Sequence, residues 1–395
     1  MHLQKRVLSD KKIVMQHAKL KYVLFILLTF LTLGGRAESV REDSLQGDAV
    51  DTLDIRVEVL VASEGEEVYS AMGHTALRIA CPTLGTDYVF SYEMDDMQGW
   101  AWGMVCGTKK GRTCAIPTSQ YIHDKASQGR GVKSYRLNLP NVVRYRLWTQ
   151  MDERLKYSPQ RYDVGTSSCG TMVYKWVMTA MDADSVQTHW PEIFNVTPYE
   201  AGSNQITDPW YQFLLLTYMQ GTLLLPSADN VNKVVSPAYM LEAFRATTAY
   251  GRPLLAKEPQ TMAQQKTVRR SYLITPFYLS LFLLLIAFVN LWLRNGWVCI
   301  SLLAIGSLIG LLGSYAVLTG FYRGSEWNVL VIPFFPLLLP LWKWRRLWAM
   351  PMAVISMLWV IAMLASPVAL VAPAHIVLGA TVVLVYFEIS KLKTK

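Results

Sequence analysis

The sequence contains neither a glycine-rich phosphate-binding loop nor the spaced histidines, cysteines or carboxylates that usually hold a metal ion. We therefore expect no metal and no soluble cofactor. Charged residues are also scarce, at 17% of the chain, whereas hydrophobic residues make up 52%, more than a soluble domain usually carries. The net charge of +9 does not indicate nucleic-acid binding, because many basic residues lie at the N-terminus or beside apolar segments. These features predict a membrane protein with a sizeable water-facing domain.

The N-terminal segment has the order of features typical of an export signal. Basic residues from Lys5 to Lys21 precede an apolar run at 22–33, and the small residues Gly35 and Ala37 follow it. We predict a signal peptide over residues 1–37, since the run is short for a spanning helix; an uncleaved anchor is the alternative. The polar, acidic residues 38–54 are expected to form a flexible lead-in to a domain outside the cytoplasm.

Residues 55–205 are expected to form this exported domain. Alternation of apolar and polar positions predicts strands, over residues 55–63, 74–80, 87–93 and 134–140. The pattern at 142–157 predicts a helix. The segment 106–114 is rich in glycine and lysine and is interpreted as a hairpin tip. The domain should therefore have an α+β fold.

Cys169 lies at the start of a predicted helix. Two serines precede it, and the apolar residues that follow recur at helical spacing through Met181. The free N–H groups and the helix dipole at that point favour a thiolate, which is the reactive form of cysteine. His74 opens a predicted strand and is a candidate base, provided that the fold brings the two residues together.

A disulfide is the alternative to a reactive Cys169, because cysteines of exported proteins tend to pair. Cys81 is one candidate partner. Cys106 and Cys114 bracket the predicted hairpin tip and could bridge each other, which would leave Cys81 and Cys169 unpaired. The number of cysteines does not decide between these alternatives.

Several motifs together resemble a known family. They are GEEVYSAMGHTALRI, DYVFSYE, YDVGTSSC and TDPWYQFLLLTYMQGTLLLPSAD, followed by apolar segments. In this combination the chain resembles the Lnb-type lipoprotein N-acyltransferases of the Bacteroidota, over about residues 55–345. The resemblance implies a permuted papain or NlpC/P60-type fold, similar to the lecithin:retinol acyltransferases, in which the histidine strand precedes the cysteine helix.

The resemblance also implies roles for the two candidate residues. Cys169 would be the nucleophile and His74 the base. Together they would move an acyl chain from a phospholipid, through a thioester, to the N-terminal amine of a diacylated lipoprotein. The third member of the site is not identified by the motifs, and Ser91, Tyr92 and Glu93 are candidates for orienting His74.

The cysteine motif departs from the family pattern. Members usually carry Asp-Asn before the cysteine and Ser after it, whereas this chain has Ser167, Ser168 and Gly170 in those places. Ser168 could still donate a hydrogen bond. The groups that orient the base and stabilise the oxyanion are therefore expected to differ from those of the family.

The C-terminal region, residues 271–395, is predicted to cross the membrane about five times. Its apolar segments lie at 273–293, 297–319, 329–342, 347–365 and 368–389. If all five cross, the basic residues at 294, 343–346 and 391–395 fall on the cytoplasmic side, as the positive-inside rule requires. The prolines of 329–342 also allow a broken or re-entrant segment. This topology predicts a multi-pass protein of the inner membrane with its domain in the periplasm.

Residues 206–270 are interpreted as a membrane-proximal helical segment. Within it, 209–226 carries no charge and could be a buried core helix, a helix in the bilayer interface or a further span. A sixth span would reverse the charge pattern of the five that follow.

Two other functions stay open on the sequence alone. The same catalytic residues would serve a membrane-tethered cysteine peptidase or amidase that acts on cell-wall peptides. A non-catalytic envelope assembly protein with a structural Cys169 is the third hypothesis.

Overall fold

The computed structural model describes residues 53–95, 108–162, 166–203, 205–218, 227, 229–256, 258–266, 274–305, 343–365 and 373–392. The predicted signal peptide and nearly all of the acidic lead-in lie outside these residues. So do Cys106 and the predicted segment 329–342.

A seven-stranded sheet in which every neighbouring pair is antiparallel organises the N-terminal part of the described chain, in the order β10-β5-β1-β2-β3-β4-β6. A smaller sheet has the order β7-β8-β9. The strands are β1 Arg56–Ala62, β2 His74–Cys81, β3 Thr86–Met94, β4 Lys110–Pro117, β5 Val132–Arg136, β6 Gln160–Arg161, β7 Val186–Thr188, β8 Thr247–Ala249, β9 Arg252–Pro253 and β10 Gln260–Ala263.

Helices cover the sheet and continue beyond it. They are α1 Thr118–Ser127, α2 Asn141–Arg154, α3 Cys169–Ala180, α4 Pro198–Ser203, α5 Pro209–Tyr218, α6 Pro237–Arg245, α7 Pro276–Leu293, α8 Gly296–Ile305, α9 Arg345–Ala365 and α10 Pro373–Lys391. Short 3-10 turns lie at Val68–Ser70, Pro82–Leu84, Ala183–Ser185, Glu192–Phe194 and Asn230–Lys233.

Strand alternation divides the buried residues of the sheet between two faces. On one face, Leu77 of β2 belongs to a core with Trp176 and Val177 of α3. On the other face, Ala76 belongs to a smaller core with Tyr121 of α1. The cysteine helix α3 and helix α1 therefore pack on opposite faces of the sheet. Residues of both helices can reach the end of β2 that carries His74.

The mixed α+β class is confirmed, and the four predicted strands are present as β1, β2, β3 and β5. The hairpin-tip interpretation is wrong for residues 110–114, which lie in β4; residues 111–114 pair with β3. β4 buries few of its side chains, so its sequence carries little apolar alternation. Helix α1 was not expected, since Thr118 and Tyr121 are its only fully buried residues.

The expectation of five spans is not met by the described residues. Two helices there are long and apolar enough to cross a membrane, Pro276–Leu293 and Ala374–Lys391. Helix α9 coincides with the predicted 347–365 segment, but it begins with arginines and contains Pro351, and its apolar part is shorter, at Leu347–Ala362. α8 covers only the start of the predicted 297–319 segment, and the rest of that segment lies outside the described residues.

These C-terminal helices share a buried cluster of their own. It contains Ala287 of α7, Ala349 and Ala353 of α9, and Val385 and Tyr386 of α10. Small residues of this kind let helix backbones approach closely where the hydrophobic effect contributes little, as in a bilayer. The cluster is therefore consistent with helices that associate in a membrane.

Candidate active site

One end of the central sheet brings several polar segments together. Ala62, the last residue of β1, pairs with His74, the first residue of β2, and with Val132, the first residue of β5. Gly73 precedes His74 with φ of 82°, and a side chain there would come within 2.8 Å of the Ala62 carbonyl oxygen. The glycine of the GHT motif is thus required by the tight entry into β2.

His74 is held by a short chain of hydrogen bonds across β3. Its Nε2 lies 2.7 Å from Ser91 Oγ, and Ser91 Oγ donates to Glu93 Oε1 at 3.0 Å. The Glu93 carboxylate is 3.8 Å from the same ring nitrogen. Ser91 and Glu93, two of the three candidates for orienting the histidine, therefore lie beside it.

These hydrogen bonds determine which nitrogen of the His74 ring carries the proton. A carboxylate can only accept, so the Ser91 hydroxyl proton points to Glu93. The Ser91 oxygen must then accept from His74 Nε2–H. This assignment leaves the lone pair on Nδ1, which is the nitrogen available as a base.

Tyr92, the third candidate, takes no part in the hydrogen bonds that link His74, Ser91 and Glu93. It belongs to the core cluster on the other face of the sheet and stacks on Tyr162 at 5.9 Å. Strand alternation gives the physical reason, because neighbours in a strand point to opposite faces.

Cys169 is the first residue of α3, as the sequence predicts, and its thiol is free and partly exposed. Ser168 caps the helix by accepting from the Thr171 amide at 3.2 Å, and its hydroxyl donates to the Val235 carbonyl at 3.3 Å. A side chain on Gly170 would come within 3.1 Å of the Val234 carbonyl oxygen. Ser168 and Gly170 thus anchor the helix start against residues 234–236.

The Cys169 thiol meets the residue that follows His74. The Thr75 backbone amide interacts with the sulfur, and Thr75 is fully buried. Burial raises the pKa of the Cys169 thiol, while Thr75, the Gly170 amide and the charge of Arg130 oppose that rise. The structure therefore brings the predicted nucleophile to the start of the histidine strand as a protonated thiol.

Burial is also the largest cause of the shifted pKa of His74. It lowers the pKa of the imidazole well below its usual value, and the charges of Lys125 and Arg130 lower it further. The lowered pKa favours the neutral imidazole, and the raised pKa of Cys169 favours the protonated thiol. Both candidate residues therefore lie at the same end of β2 in their uncharged forms.

The alternative of a disulfide between Cys81 and Cys169 is contradicted by the structure, in which both are free thiols. Cys81 ends β2, at the opposite end of the strand from His74, and is a fully buried free thiol in the core. Cys114 in β4 is also a free thiol. Cys106, its candidate partner, lies outside the described residues.

Residues 43–195 match the family model described as the Lnb N-terminal periplasmic domain. The match includes both His74 and Cys169. It supports the Lnb family. A comparison with curated proteins gave no match, and a comparison with solved structures gave none either.

A periplasmic domain, together with two helices apolar enough to span a bilayer, is consistent with a membrane protein. Sequence reasoning missed two cations at the site. Lys125 lies in the unexpected helix α1, and Arg130 lies in the turn that leads to β5. The only signal for Arg130 in the sequence is the GRG turn before a predicted strand, which carries no chemical meaning without the fold.

Proposed function

We propose that this protein is a membrane-anchored acyltransferase. It would move a fatty acyl chain from a phospholipid, through a thioester on Cys169, to the N-terminal amine of a diacylated lipoprotein. The observation that carries the proposal is the end of β2, where the Cys169 thiol meets Thr75 and the neighbouring His74 is oriented by Ser91. The match to the Lnb N-terminal periplasmic domain supports it independently.

The proposal includes a permuted papain or NlpC/P60-type architecture for this domain. The chain order supports it, because the histidine strand β2 precedes the cysteine helix α3. The histidine is oriented from the adjacent strand β3. In this chain a serine and a glutamate would supply that orientation.

In the first half-reaction His74 Nδ1 takes the proton of the Cys169 thiol as the sulfur attacks an ester carbonyl of the phospholipid. Amide N–H groups at the start of α3 stabilise the oxyanion of the tetrahedral intermediate. The carbon–oxygen bond to the glycerol then breaks. His74 returns its proton to that oxygen, so that a lysophospholipid leaves and an acyl thioester remains.

In the second half-reaction the lipoprotein amine attacks the thioester carbonyl. His74 accepts a proton from the amine and delivers it to the departing sulfur. The products are an amide and the free Cys169 thiol. No redox step or cofactor takes part in this scheme.

Helix α5 offers a route between the site and the bilayer. The Tyr211 hydroxyl donates to the Glu66 carbonyl at 2.7 Å, in the loop between β1 and β2 that leads to His74. On its other side, the Trp210 indole donates to the Ile274 carbonyl at 3.0 Å, and Phe213 stacks on His375 of α10 at 4.4 Å. An apolar helix linking the catalytic loop to spanning helices suits a lipid substrate at the outer face of the inner membrane.

The length of α5 bears on the three interpretations of residues 209–226. Its described part has 10 residues, which is too short to cross a bilayer. Residues 219–226 lie outside the described residues.

The test is acylation of the purified full-length protein by phospholipid with a radiolabelled acyl chain. Label should become bound to the protein, be released by hydroxylamine and be absent in Cys169→Ala. Cys114→Ala is the matched control and should keep the label. An unlabelled wild type, or label that persists in Cys169→Ala, would contradict the thioester.

A second experiment tests the acceptor. Expression in cells that lack their own N-acyltransferase should convert diacylated lipoproteins to triacylated ones. Cleavage of cell-wall peptides without any lipoprotein conversion would instead support the peptidase or amidase hypothesis.

A further inference from the structure

Arg130 is buried at the end of the sheet that carries His74. Only 3% of the residue is exposed. Its Nε donates to the Ser63 carbonyl at 2.7 Å, and Ser63 directly follows the β1 residue that pairs with His74. Two further bonds between Ser63 and Gly131 fix this turn, at 2.8 and 2.9 Å. The guanidinium is therefore held in one place by β1.

The charge of Arg130 has no carboxylate partner among the described residues. Its Nη2 is buried and has no hydrogen-bond partner in the same part of the chain. Burying a cation without a counter-charge is costly, so such groups are rare unless they act on negative charge elsewhere. The guanidinium keeps its proton even when buried, and the charge at this point is permanent.

The charged and titratable groups around Arg130 come from several elements. Glu93 of β3 bonds to Ser91, and its charge acts on Arg130 from across the site. Tyr69 and Tyr121 also act on Arg130, and Tyr121 packs under the Lys125 ammonium at 5.1 Å. Glu93 is the one carboxylate in this set. Two cations, Arg130 and Lys125, stand against this single carboxylate, so the set has an excess of positive charge.

We propose that Arg130 is a positioning residue that acts through its charge: it stabilises negative charge on the Cys169 sulfur and, together with the Lys125 ammonium, keeps His74 neutral. This inference rests on the roles of Cys169 and His74 in the proposed function. We assign Arg130 a positioning role because the residue is 3% exposed and its unbonded Nη2 is buried.

The same charge acts on both partners of the proton transfer. Arg130 lowers the pKa of the Cys169 thiol, against the larger effect of burial, and it lowers the pKa of the His74 imidazole after burial and Lys125. Removing the charge should therefore raise the pKa of both groups. A residue that only supports the fold would not shift the two values together in one direction.

The experiment uses the full-length protein in detergent and measures each group separately. The rate at which iodoacetamide alkylates Cys169 is measured by mass spectrometry of the Cys169 peptide over a range of pH. Its pH dependence gives the pKa of the thiol. Deuterium exchange of the His74 ring C2 proton across pH reports the imidazole. Neither measurement needs an acyl donor, so the result is independent of whether acyl transfer occurs.

Arg130→Gln should move both titration curves to higher pH. A shift of about one pH unit corresponds to about tenfold slower alkylation at a pH below the thiol pKa. Arg130→Lys keeps the charge and should leave both curves near those of the wild type. Arg136→Gln, an exposed arginine at the far end of β5, is the matched control and should shift neither.

Three outcomes would overturn the inference. Arg130→Gln could fold, by its thermal melting curve, and leave both curves in place. Arg130→Lys could shift the two titration curves as far as Arg130→Gln does, which would assign the effect to the bond with Ser63 rather than to the charge. If Arg130→Gln does not fold, Lys125→Gln, at a half-buried position, must raise the His74 curve; an unmoved curve would contradict a role for positive charge here.

Discussion

Two arginines of the sheet domain have opposite surroundings. Arg78 of β2 donates to both oxygens of Asp87, at 2.8 and 2.7 Å, and to Glu58 at 2.8 Å. Arg130 lies at the end of the same sheet and has no carboxylate partner among the described residues. The charge of Arg78 is neutralised locally, whereas the charge of Arg130 acts on the groups of the candidate site.

The partners of Arg78 are themselves satisfied. Thr118 donates to Asp87 at 2.5 Å, and Ser134 donates to Glu58 at 2.6 Å. This network joins four strands and α1, so it fits a structural role. The contrast shows that burial of an arginine alone does not indicate function; the informative feature is whether its charge has been paired.

The largest effect is expected at the candidate site, from His74→Ala. Loss of a general base costs about 10²–10⁴-fold in rate, and we expect about 10³-fold slower acylation of Cys169. His123→Ala removes an exposed histidine of α1 and should leave the rate unchanged. Initial rates of label incorporation from phospholipid measure both. A His74→Ala rate above one tenth of the wild-type rate would contradict the assignment.

In the network of Arg78 with Asp87 and Glu58, Arg78→Gln should reduce the stability of the fold and leave the acylation rate almost unchanged. It leaves two carboxylates without their cation. Fully buried pairs cost roughly 3–5 kcal/mol when broken; because Arg78 is 18% exposed, we expect about 2 kcal/mol. Denaturant unfolding of the domain in detergent measures this. Unchanged stability with altered titration of His74 would remove the distinction between the two arginines.

The pH dependence of this network follows from Asp87. Burial would raise the pKa of its carboxyl, but the bonds from Arg78 and Thr118 bring it below 3.8. A lowered pKa in the folded state contributes stability that is present above pH 3.8 and is lost as the pH falls through the folded value. Wild type should lose this contribution only in that acid range, and Arg78→Gln should lack most of it at neutral pH. Unfolding free energies from pH 7 to pH 3 measure the difference.

A smaller effect on the acylation rate is expected from Ser91→Ala, which removes the side chain that orients His74. Ser91→Ala breaks the chain from His74 to Glu93, so the ring loses the partner that fixes its tautomer. We expect acylation to slow by about 10–100-fold, in line with the loss of an outer hydrogen-bond partner at other sites. Ser134→Ala, which removes a serine from the Arg78 network, is the control and should keep the rate. Equal losses in both variants would indicate a general effect on the sheet.

The sequence predicted the elements of the site better than its electrostatics. Strand alternation located β2 with His74 at its start, and helical spacing located α3 with Cys169 at its first turn. Ser91 and Glu93 followed from adjacency, since a neighbouring strand must carry the orienting group. Arg130 could not be predicted, because the role that we propose for it comes from the bond to Ser63 and from the lack of a bonded carboxylate in the part of the chain that the structure describes. These are properties of packing that no local pattern encodes.

The smallest effect separates a structural serine from a catalytic one. Ser168→Ala removes the cap of α3 and should cost about 1 kcal/mol of stability. Because the Ser168 hydroxyl is directed to Thr171 and the Val235 carbonyl, the acylation rate should stay within about threefold, well below the 10²–10³-fold cost of losing an oxyanion donor.

Ser236→Ala, at the equivalent cap of α6, should have the same effect on stability and none on the rate. If Ser168→Ala slowed acylation by about 10²-fold without any loss of stability, Ser168 would have to turn toward the substrate during the reaction. The difference between the two caps would then be chemical, and the charge from Arg130 would act together with a serine donor that the resting structure directs elsewhere.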